Sequence, residues 1–172
     1  MSDAAALPLH FRPWTLDDAW LMKRLLGDPS MTEHLGGPES PEQLDRRLRR
    51  YVEELDGEQG RMFVIEIGPE RQAAGSIGYW VREWRGETVW ETGWHVLPEQ
   101  QGRGIATAAT RRCVALAEEE KRYPSIHASP AVDNAASNAI CRKVGFTLIA
   151  PVEFEYPKGH WMACNDWAID FR

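Results

Sequence analysis

The sequence contains little cysteine. Its three cysteines, Cys113, Cys141 and Cys164, lie far apart without a Cys-x-x-Cys pair, which argues against a disulfide framework and against a zinc site. No apolar run approaches the roughly 18 residues of a membrane helix, and the first residues lack a basic start followed by an apolar segment. The sequence therefore predicts a reduced, cytoplasmic protein that holds no metal and enters no membrane.

Basic residues are in the minority. The 20 lysines and arginines face 26 aspartates and glutamates, which gives a formal net charge of −6. An acidic balance disfavours non-specific binding to nucleic acid or to an anionic membrane, and it favours a cationic small partner. The 172 residues, 43% of them apolar and 27% charged, are ordinary for a globular protein and predict one domain over 1–172.

The periodicity of apolar residues predicts a mixed chain of the α/β (α+β) class. Strands are predicted over 9–14, 62–67, 73–81, 88–96, 125–129, 146–150 and 162–171. Helices are predicted over 16–26, 41–55, 104–121 and 134–144. The strands between 62 and 96 follow one another as an antiparallel meander, and the second half contains a βαβ crossover.

The second predicted helix carries a run of arginines, whereas its apolar residues recur at helical spacing on another side. Such a charged run is typical of a solvated face, and an anion-binding site is the alternative. The arginines are Arg46, Arg47, Arg49 and Arg50.

A glycine-rich segment, VLPEQQGRGIA at 96–106, connects a predicted strand to a predicted helix. Glycines expose backbone N–H groups and the helix N-terminus adds partial positive charge, so the segment suits a phosphate or pyrophosphate. A P-loop is excluded because no Gly-Lys-Ser or Gly-Lys-Thr follows. A dinucleotide fingerprint is excluded because Thr107 stands where the third glycine belongs.

Two motifs resemble those of the GNAT acyltransferases. QGRGIA at 101–106 matches the family's Gln/Arg-x-x-Gly-x-Gly/Ala, and NAASNAICRKVGF at 134–146 matches an asparagine, a small residue three positions on, and Lys-x-Gly-Phe. With FRPWT at 11–15 the likeness covers nearly the whole chain, and it is greatest to the branch of ribosomal-protein N-terminal (alanine) acetyltransferases. The resemblance implies a single GNAT-like domain with a mixed, mostly antiparallel sheet of six to seven strands, about four helices and a splayed central strand pair.

The resemblance also implies acetyl-CoA as co-substrate and no metal. By analogy with the family, pantetheine pairs with the backbone of Trp94, His95 and Val96, and the side chain of Asn134 binds it as well. A helix cap is the other interpretation of Asn134, and the two roles are compatible. The pyrophosphate is assigned to the main-chain N–H groups of Gln101, Gly102, Arg103, Gly104, Ile105, Ala106 and Thr107.

The implied reaction is direct attack of a primary amine on the acetyl thioester, assisted by a base. We assign the base to Glu91, since a strand's period of two puts it on one face with His95. Its neighbours Trp90 and Trp94 are expected to desolvate it and raise its pKa. A solvent-facing glutamate is the alternative interpretation, and His95 and His127 are the other candidate bases. The N–H of a strand residue such as Val96 stabilises the thioester oxygen.

The general acid departs from the family's better-known pattern. Many GNAT enzymes have a tyrosine where this chain has Cys141, whereas the branch that it resembles uses a serine position, here Ser137. We therefore assign the acid or water-positioning role to Ser137. Cys141 is expected to be a small buried hydrophobic residue.

The acceptor is predicted to be an amine of a small molecule or a peptide N-terminus, held in an aromatic-lined cleft by cation–π contact. A homodimer through an edge strand is a further expectation. A non-catalytic acyl-CoA sensor and a structural domain without a nucleotide are the competing functions. The candidate acceptor-side residues are Trp14, Trp20, Glu33, His34, Trp84, Tyr156, His160 and Trp161.

Overall fold

The computed structural model describes residues 8–55 and 57–171. Within them, seven strands form one sheet in the order β1-β2-β3-β4-β5-β7-β6. The strands are β1 (Leu9–Pro13), β2 (Gly60–Ile67), β3 (Gln72–Trp84), β4 (Glu87–Val96), β5 (Ser125–Ala128), β6 (Thr147–Glu155) and β7 (Trp161–Asp170). The helices are α1 (Ala19–Leu26), α2 (Pro41–Arg49), α3 (Ile105–Glu119) and α4 (Ala135–Val144). The predicted α/β class, the meander and the mostly antiparallel sheet are confirmed. Residues 1–7, 56 and 172 of the predicted domain lie outside the described residues.

The ends of the helices follow from local chemistry. Ser40 caps α2, because its hydroxyl accepts from the Gln43 N–H at 3.2 Å while the Gln43 side chain accepts from the Ser40 N–H at 2.7 Å. A π-helical turn, Arg50–Glu54, then extends this helix close to the predicted end at 55. The first helix begins three residues later than predicted, because Leu16–Asp18 forms a 3₁₀ turn.

The helices cover both faces of the sheet. Buried residues of α3 and α4, including Cys113 and Cys141, pack with Trp90 and Ile126 on one face. Leu21 and other residues of α1 and α2 pack on the opposite face. Met31 and Leu35, in the loop between α1 and α2, pack against this second layer.

The parallel strands β4 and β5 separate after a short contact. They pair only at Trp90 with Ile126 and at Glu91 with His127, whereas β4 continues to Val96. The predicted splayed central pair is therefore confirmed. Because β4 and β5 run in the same direction, the helices that follow them, α3 and α4, both begin at the open end of this pair.

Candidate active site

The open edge of β4 is formed by alternate residues. The N–H of Leu97 bonds to the carbonyl of Ala74 on β3 at 2.8 Å, so His95, two residues earlier, also directs its backbone groups towards β3. The backbone groups of Trp94 and Val96 consequently face the opening left by β5. The backbone groups of His95 therefore point away from this opening.

The loop after β4 is held open by two glycines in the left-handed region. Gly102 and Gly104 have φ values of 74° and 76°, and Gly104 is the N-cap of α3. The first N–H of this turn to bond within the helix belongs to Ala108, which donates to the Gly104 carbonyl at 3.0 Å. The preceding N–H groups, those of Ile105, Ala106 and Thr107, are the ones that a helix leaves without internal acceptors. They can therefore donate to an anion.

Two side-chain hydrogen bonds stabilise this loop. The amide of Gln101 donates to the Val96 carbonyl at 3.0 Å, which ties the loop to the end of β4. The guanidinium of Arg103 donates to the side chain of Gln100, which is buried, whereas Arg103 is largely exposed. The side chains of Gln101 and Arg103 thus fix the loop, and its backbone N–H groups are left for a ligand.

Asn134 begins α4 on the other side of the opening. Its side-chain oxygen accepts from the Ser137 N–H at 3.1 Å, so the predicted capping role is confirmed. The amide nitrogen of Asn134 is not needed for this cap and can donate to a ligand. Ser137 is half-buried in the first turn of α4, one turn before Cys141.

Asn138 is a site-supporting residue that the sequence analysis missed. It is buried, and its amide nitrogen donates to the carbonyls of Ala131 at 2.9 Å and Asn134 at 2.8 Å. Its oxygen accepts from the side chains of Asn165 and Trp167 on β7. The start of α4 is therefore anchored to the sheet beside the opening. A second asparagine one helical turn after Asn134 is the signal that the sequence offers.

Glu91 lies on the face of β4 that α1 and α2 cover, and it is 9% exposed. Its carboxylate accepts from the indole of Trp80 at 2.8 Å and from Arg82 at 3.1 Å. Burial raises the pKa of Glu91, and Arg82 and Trp80 offset this only in part. The alternative of a solvent-facing glutamate is wrong.

The tryptophan that covers Glu91 is not the one predicted. Trp90 and Trp94 belong to the opposite face, where the Trp90 ring packs edge-on against Tyr79 and Tyr123. Trp80 occupies this role instead, because it is the partner of Glu91 across the β3–β4 ladder. The expected rise in the pKa of Glu91 is confirmed, and burial is its cause, whereas the hydrogen bond from Trp80 opposes it.

Arg82 connects Glu91 to a second group of polar side chains. Its guanidinium stacks 3.9 Å from the ring centroid of Trp84 and 4.4 Å from that of Phe154, and it donates to the Ser129 hydroxyl at 3.4 Å. Trp84, one of the predicted acceptor-side aromatic residues, thus forms a cation–π contact with Arg82 of the same chain. Its indole also donates to Asp166 at 3.0 Å.

The two histidines proposed as bases have different surroundings. Burial, together with the nearby charge of Arg47, lowers the pKa of His95 to about 4. His127, which pairs with Glu91 across β4 and β5, lies 2.7 Å from Asp166 through its Nδ1 atom. Burial thus shifts the pKa of Glu91 upwards and that of His95 downwards.

Cys141 lies away from the opening. It is fully buried among the residues packed under α3, and burial raises the pKa of its thiol to about 12. The expectation that Cys141 is a small buried hydrophobic residue is confirmed.

The three cysteines are all free and buried. Among the described residues, no group of three or more His, Cys, Asp or Glu side chains is arranged to hold a metal ion, and no helix is long and apolar enough to cross a membrane.

A cavity of about 350 Å³ lies between α2, the α1–α2 loop and the β6–β7 turn. Tyr156 is the one aromatic residue of the predicted acceptor set that lines it. Trp14 is instead in the core, while Trp20 and Trp161 are 50% and 60% exposed. His34, with Glu33 on one side, bonds to Asp133 at 3.1 Å, and the His160 ring lies near Gly36. Most of the candidate acceptor-side residues therefore do not line this cavity.

The cavity is lined by arginines. Arg46, Arg47 and Arg50 face it, and the Arg47 side chain is only 23% exposed. Arg47 forms an ion pair with Glu39 and donates to the Tyr156 hydroxyl at 3.0 Å. Arg46, Arg49 and Arg50 are exposed, so the expected solvated face is confirmed for them and is wrong only for Arg47. Arg46 and Arg50 nevertheless line the cavity, whereas Arg49 bonds to Asp45 at 3.1 Å.

A family model described as an acetyltransferase (GNAT) domain matches residues 9–147. The chain therefore belongs to the GNAT acetyltransferases, as the two sequence motifs predict. No curated protein matches the chain.

Solved structures share the fold at low sequence identity. The acetyltransferase from Salmonella typhimurium that modifies the N-terminal serine of ribosomal protein L7/L12 is 19% identical, with a TM-score of 0.79 over 95% of each chain. The spermidine N-acetyltransferase from Vibrio cholerae, in complex with CoA and spermine, is 17% identical, with a TM-score of 0.77 over 95% of each chain. An aminoglycoside acetyltransferase in complex with coenzyme A is also 17% identical, with a TM-score of 0.76 over 95% of each chain.

Proposed function

We propose that the chain transfers an acetyl group from acetyl-CoA directly to a primary amine. The observation that carries the proposal is the opening between β4 and β5, where the backbone of Trp94 and Val96 is free of β3 and two helices begin side by side. Solved structures of this fold that contain CoA or acetyl-CoA support the choice of co-substrate.

In this proposal acetyl-CoA lies in the opening. Its pyrophosphate accepts from the N–H groups of residues 101–107, since the turn of Gly102 and Gly104 and the first turn of α3 expose donors next to a helix N-terminus. Its pantetheine amides pair with Trp94 and Val96, as an added strand does with a sheet edge. The side chain of Asn134 donates its spare amide hydrogen to the same arm.

Glu91 is the proposed base. The amine nitrogen loses a proton to Glu91, directly or through one water, and forms a bond to the acetyl carbon while the C–S bond breaks. Each carboxylate oxygen of Glu91 accepts one hydrogen bond and retains a lone pair, so the contacts with Trp80 and Arg82 leave room for this proton. A backbone N–H of Trp94 or Val96 stabilises the thioester oxygen as it gains charge.

The CoA thiolate that leaves takes up a proton, and Ser137 is the proposed donor or water-positioning residue. Its place in the first turn of α4, half-buried beside Asn134, supports this assignment. The buried Cys141 thiol does not reach the opening. A non-catalytic acyl-CoA sensor is the second candidate, and the buried thiol in the family's tyrosine position is the observation that favours it.

Thermal unfolding with acetyl-CoA, CoA, NAD and ATP, followed by a CoA-release assay with amines, tests the proposal. A ligand at 100 times its dissociation constant stabilises by about 2.7 kcal/mol, which raises Tm by about 5–10 °C for a domain of this size. We expect this shift with acetyl-CoA and CoA alone. Absence of the shift refutes both candidates, whereas a shift without CoA release from any amine favours the sensor.

A further inference from the structure

The cavity between α2, the α1–α2 loop and the β6–β7 turn carries an excess of positive charge. Three arginines and one glutamate line it, which leaves two net positive charges in a chain whose formal net charge is −6. We call this feature the arginine cavity and define its charged lining as Arg46, Arg47, Arg50 and Glu39.

Arg46 and Arg50 are the exposed arginines of this lining, and the described residues provide no salt-bridge partner for either. Arg47 is paired with Glu39, but among residues 8–55 and 57–171 neither Arg46 nor Arg50 forms a salt bridge. By contrast, Arg49 on the same helix is paired with Asp45 and Glu53 on the outer side. The uncompensated charge is therefore concentrated on the side of α2 that faces the cavity.

The rest of the lining strengthens this charge. Leu26, Leu35 and two prolines, Pro38 and Pro157, form apolar parts of the wall. A concave site with low-dielectric walls focuses the field of its charges and attracts ions of the opposite sign. A planar guanidinium also matches a carboxylate in geometry, because it can donate two parallel hydrogen bonds.

The arginine cavity lies near the end of β4. Leu26 and Leu35, which line the cavity, pack in the same cluster as Leu97, two residues after His95. The charges of Arg47 and Glu39 in the lining also act on His95, which shares a strand face with Glu91. Four steps along the strand separate His95 from Glu91, which corresponds to roughly 13 Å. An amine held between these two side chains therefore has the cavity on its His95 side.

We propose that the acceptor is a primary amine that also carries a carboxylate, and that Arg46 and Arg50 bind this carboxylate in the arginine cavity. The inference rests on the proposed N-acetyltransferase function and names its substrate class. The carboxylate comes either from a small amino acid or from acidic side chains in the first residues of a peptide. A polycationic acceptor is disfavoured, because Arg46 and Arg50 repel its remaining ammonium groups.

The test compares acceptors that differ only in charge. The small set is 4-aminobutanoate, butylamine and 1,4-diaminobutane, and the peptide pair is Ser-Asp-Asp-Asp and Ser-Asn-Asn-Asn with amidated C-termini. We expect the acidic member of at least one set to have a kcat/KM roughly tenfold or more above its neutral counterpart, with the diamine lowest. The set that responds distinguishes the small-molecule source from the peptide source. The preference should shrink at high salt.

Charge-removing variants on α2 locate the effect. The double variant Arg46→Gln/Arg50→Gln should raise KM for the acidic acceptor roughly tenfold and leave the neutral acceptor within about twofold. Arg49→Gln, which removes the same charge from the outer side of the same helix, is the matched control and should change neither value. Stabilisation by CoA should be the same in all variants.

The failure of the inference differs from the failure of the proposed function. If CoA does not stabilise the protein, the proposed function is refuted. If CoA binds but no acid is acetylated better than its neutral counterpart, or if the diamine is preferred, the carboxylate inference is overturned. It is also overturned if Arg49→Gln lowers the acidic preference as much as the double variant does.

Discussion

Replacement of Glu91 by glutamine tests the proposed mechanism most directly. Glutamine has nearly the same shape but does not accept a proton from the amine. Loss of a positioned general base slows turnover by roughly 10²- to 10³-fold, within the usual range for such groups. This corresponds to roughly 2.7–4 kcal/mol in the activation free energy.

The same change perturbs the local hydrogen bonds to a smaller extent. The glutamine oxygen can still accept from Trp80, but its NH₂ group then faces the donors of Arg82. Arg82 retains its stacking on Trp84 and Phe154 and its bond to Ser129. We therefore expect a loss of roughly 1–3 kcal/mol in the free energy of unfolding. At about 2–4 °C per kcal/mol, the variant remains folded at assay temperature.

The pH dependence separates a loss of the base from a loss of structure. Because burial raises the pKa of Glu91 above its ordinary value of 4.5, kcat/KM should rise with pH through that raised pKa as the carboxylate ionises. The folded protein also holds this proton to higher pH than the unfolded chain, so the contribution of Glu91 to stability declines as pH rises from about 4.5 through the raised value. Glu91→Gln should remove both effects.

The assay is CoA release under saturating acetyl-CoA, at a temperature well below Tm of each variant. Glu87→Gln is the matched control, since Glu87 is an exposed glutamate on the same strand. The dissociation constant of acetyl-CoA should be unchanged, because the proposed cofactor contacts lie on the edge of β4 and in the loop after it. If Glu91→Gln keeps turnover within about threefold of the wild type and retains the acid limb of the pH profile, Glu91 is not the base.

Two further variants test the loop and the core. Gly104→Ala should lower stability by roughly 1–2 kcal/mol, because its φ of 76° is strained for alanine, although no atom lies within 4 Å of the added Cβ. The variant should also reduce the Tm shift that CoA produces; an unchanged shift would show that the loop does not hold the cofactor. Arg12→Leu should cost roughly 3–5 kcal/mol at pH 7 in urea unfolding, since it strips a partner from the buried carboxylates of Asp18 and Glu66. Although burial opposes it, Arg12 lowers the pKa of Asp18, so the wild type should lose this stability as pH falls below about 3.8 through the lowered pKa. The variant, in which only Thr15 still lowers this pKa, should lose less.

Much of the fold could be predicted because it depends on local chemistry. The apolar period, the Ser40 cap and the glycine at the end of α4 define elements within a few residues of their observed bounds. The period of two also places Glu91 and His95 on one face of β4 without reference to any other strand. Applied to Trp90 and Trp94, the same period would have assigned them to the opposite face.

The partners of Glu91 depend on strand register, which a single sequence does not fix. Trp80 and Arg82 lie 11 and 9 residues before Glu91, and only the β3–β4 register brings both to its carboxylate. One residue of slip would direct both side chains to the other face of the sheet. The sequence therefore predicts that the proposed base is desolvated, but it does not predict which residues contact its carboxylate.

Net charge and local charge lead to opposite predictions about the acceptor. The excess of acidic residues favours a cationic partner, and it describes the field that the whole chain produces at long range. In salt at physiological concentration that field is screened within about 8 Å, so recognition depends on the charges that line the site. Helical spacing puts Arg46, Arg47 and Arg50 near one another, but the wall that turns them into a cavity comes from Tyr156 and Pro157, more than a hundred residues away in the chain. Local geometry therefore favours a carboxylate-bearing amine, and the matched acceptors decide between these two predictions.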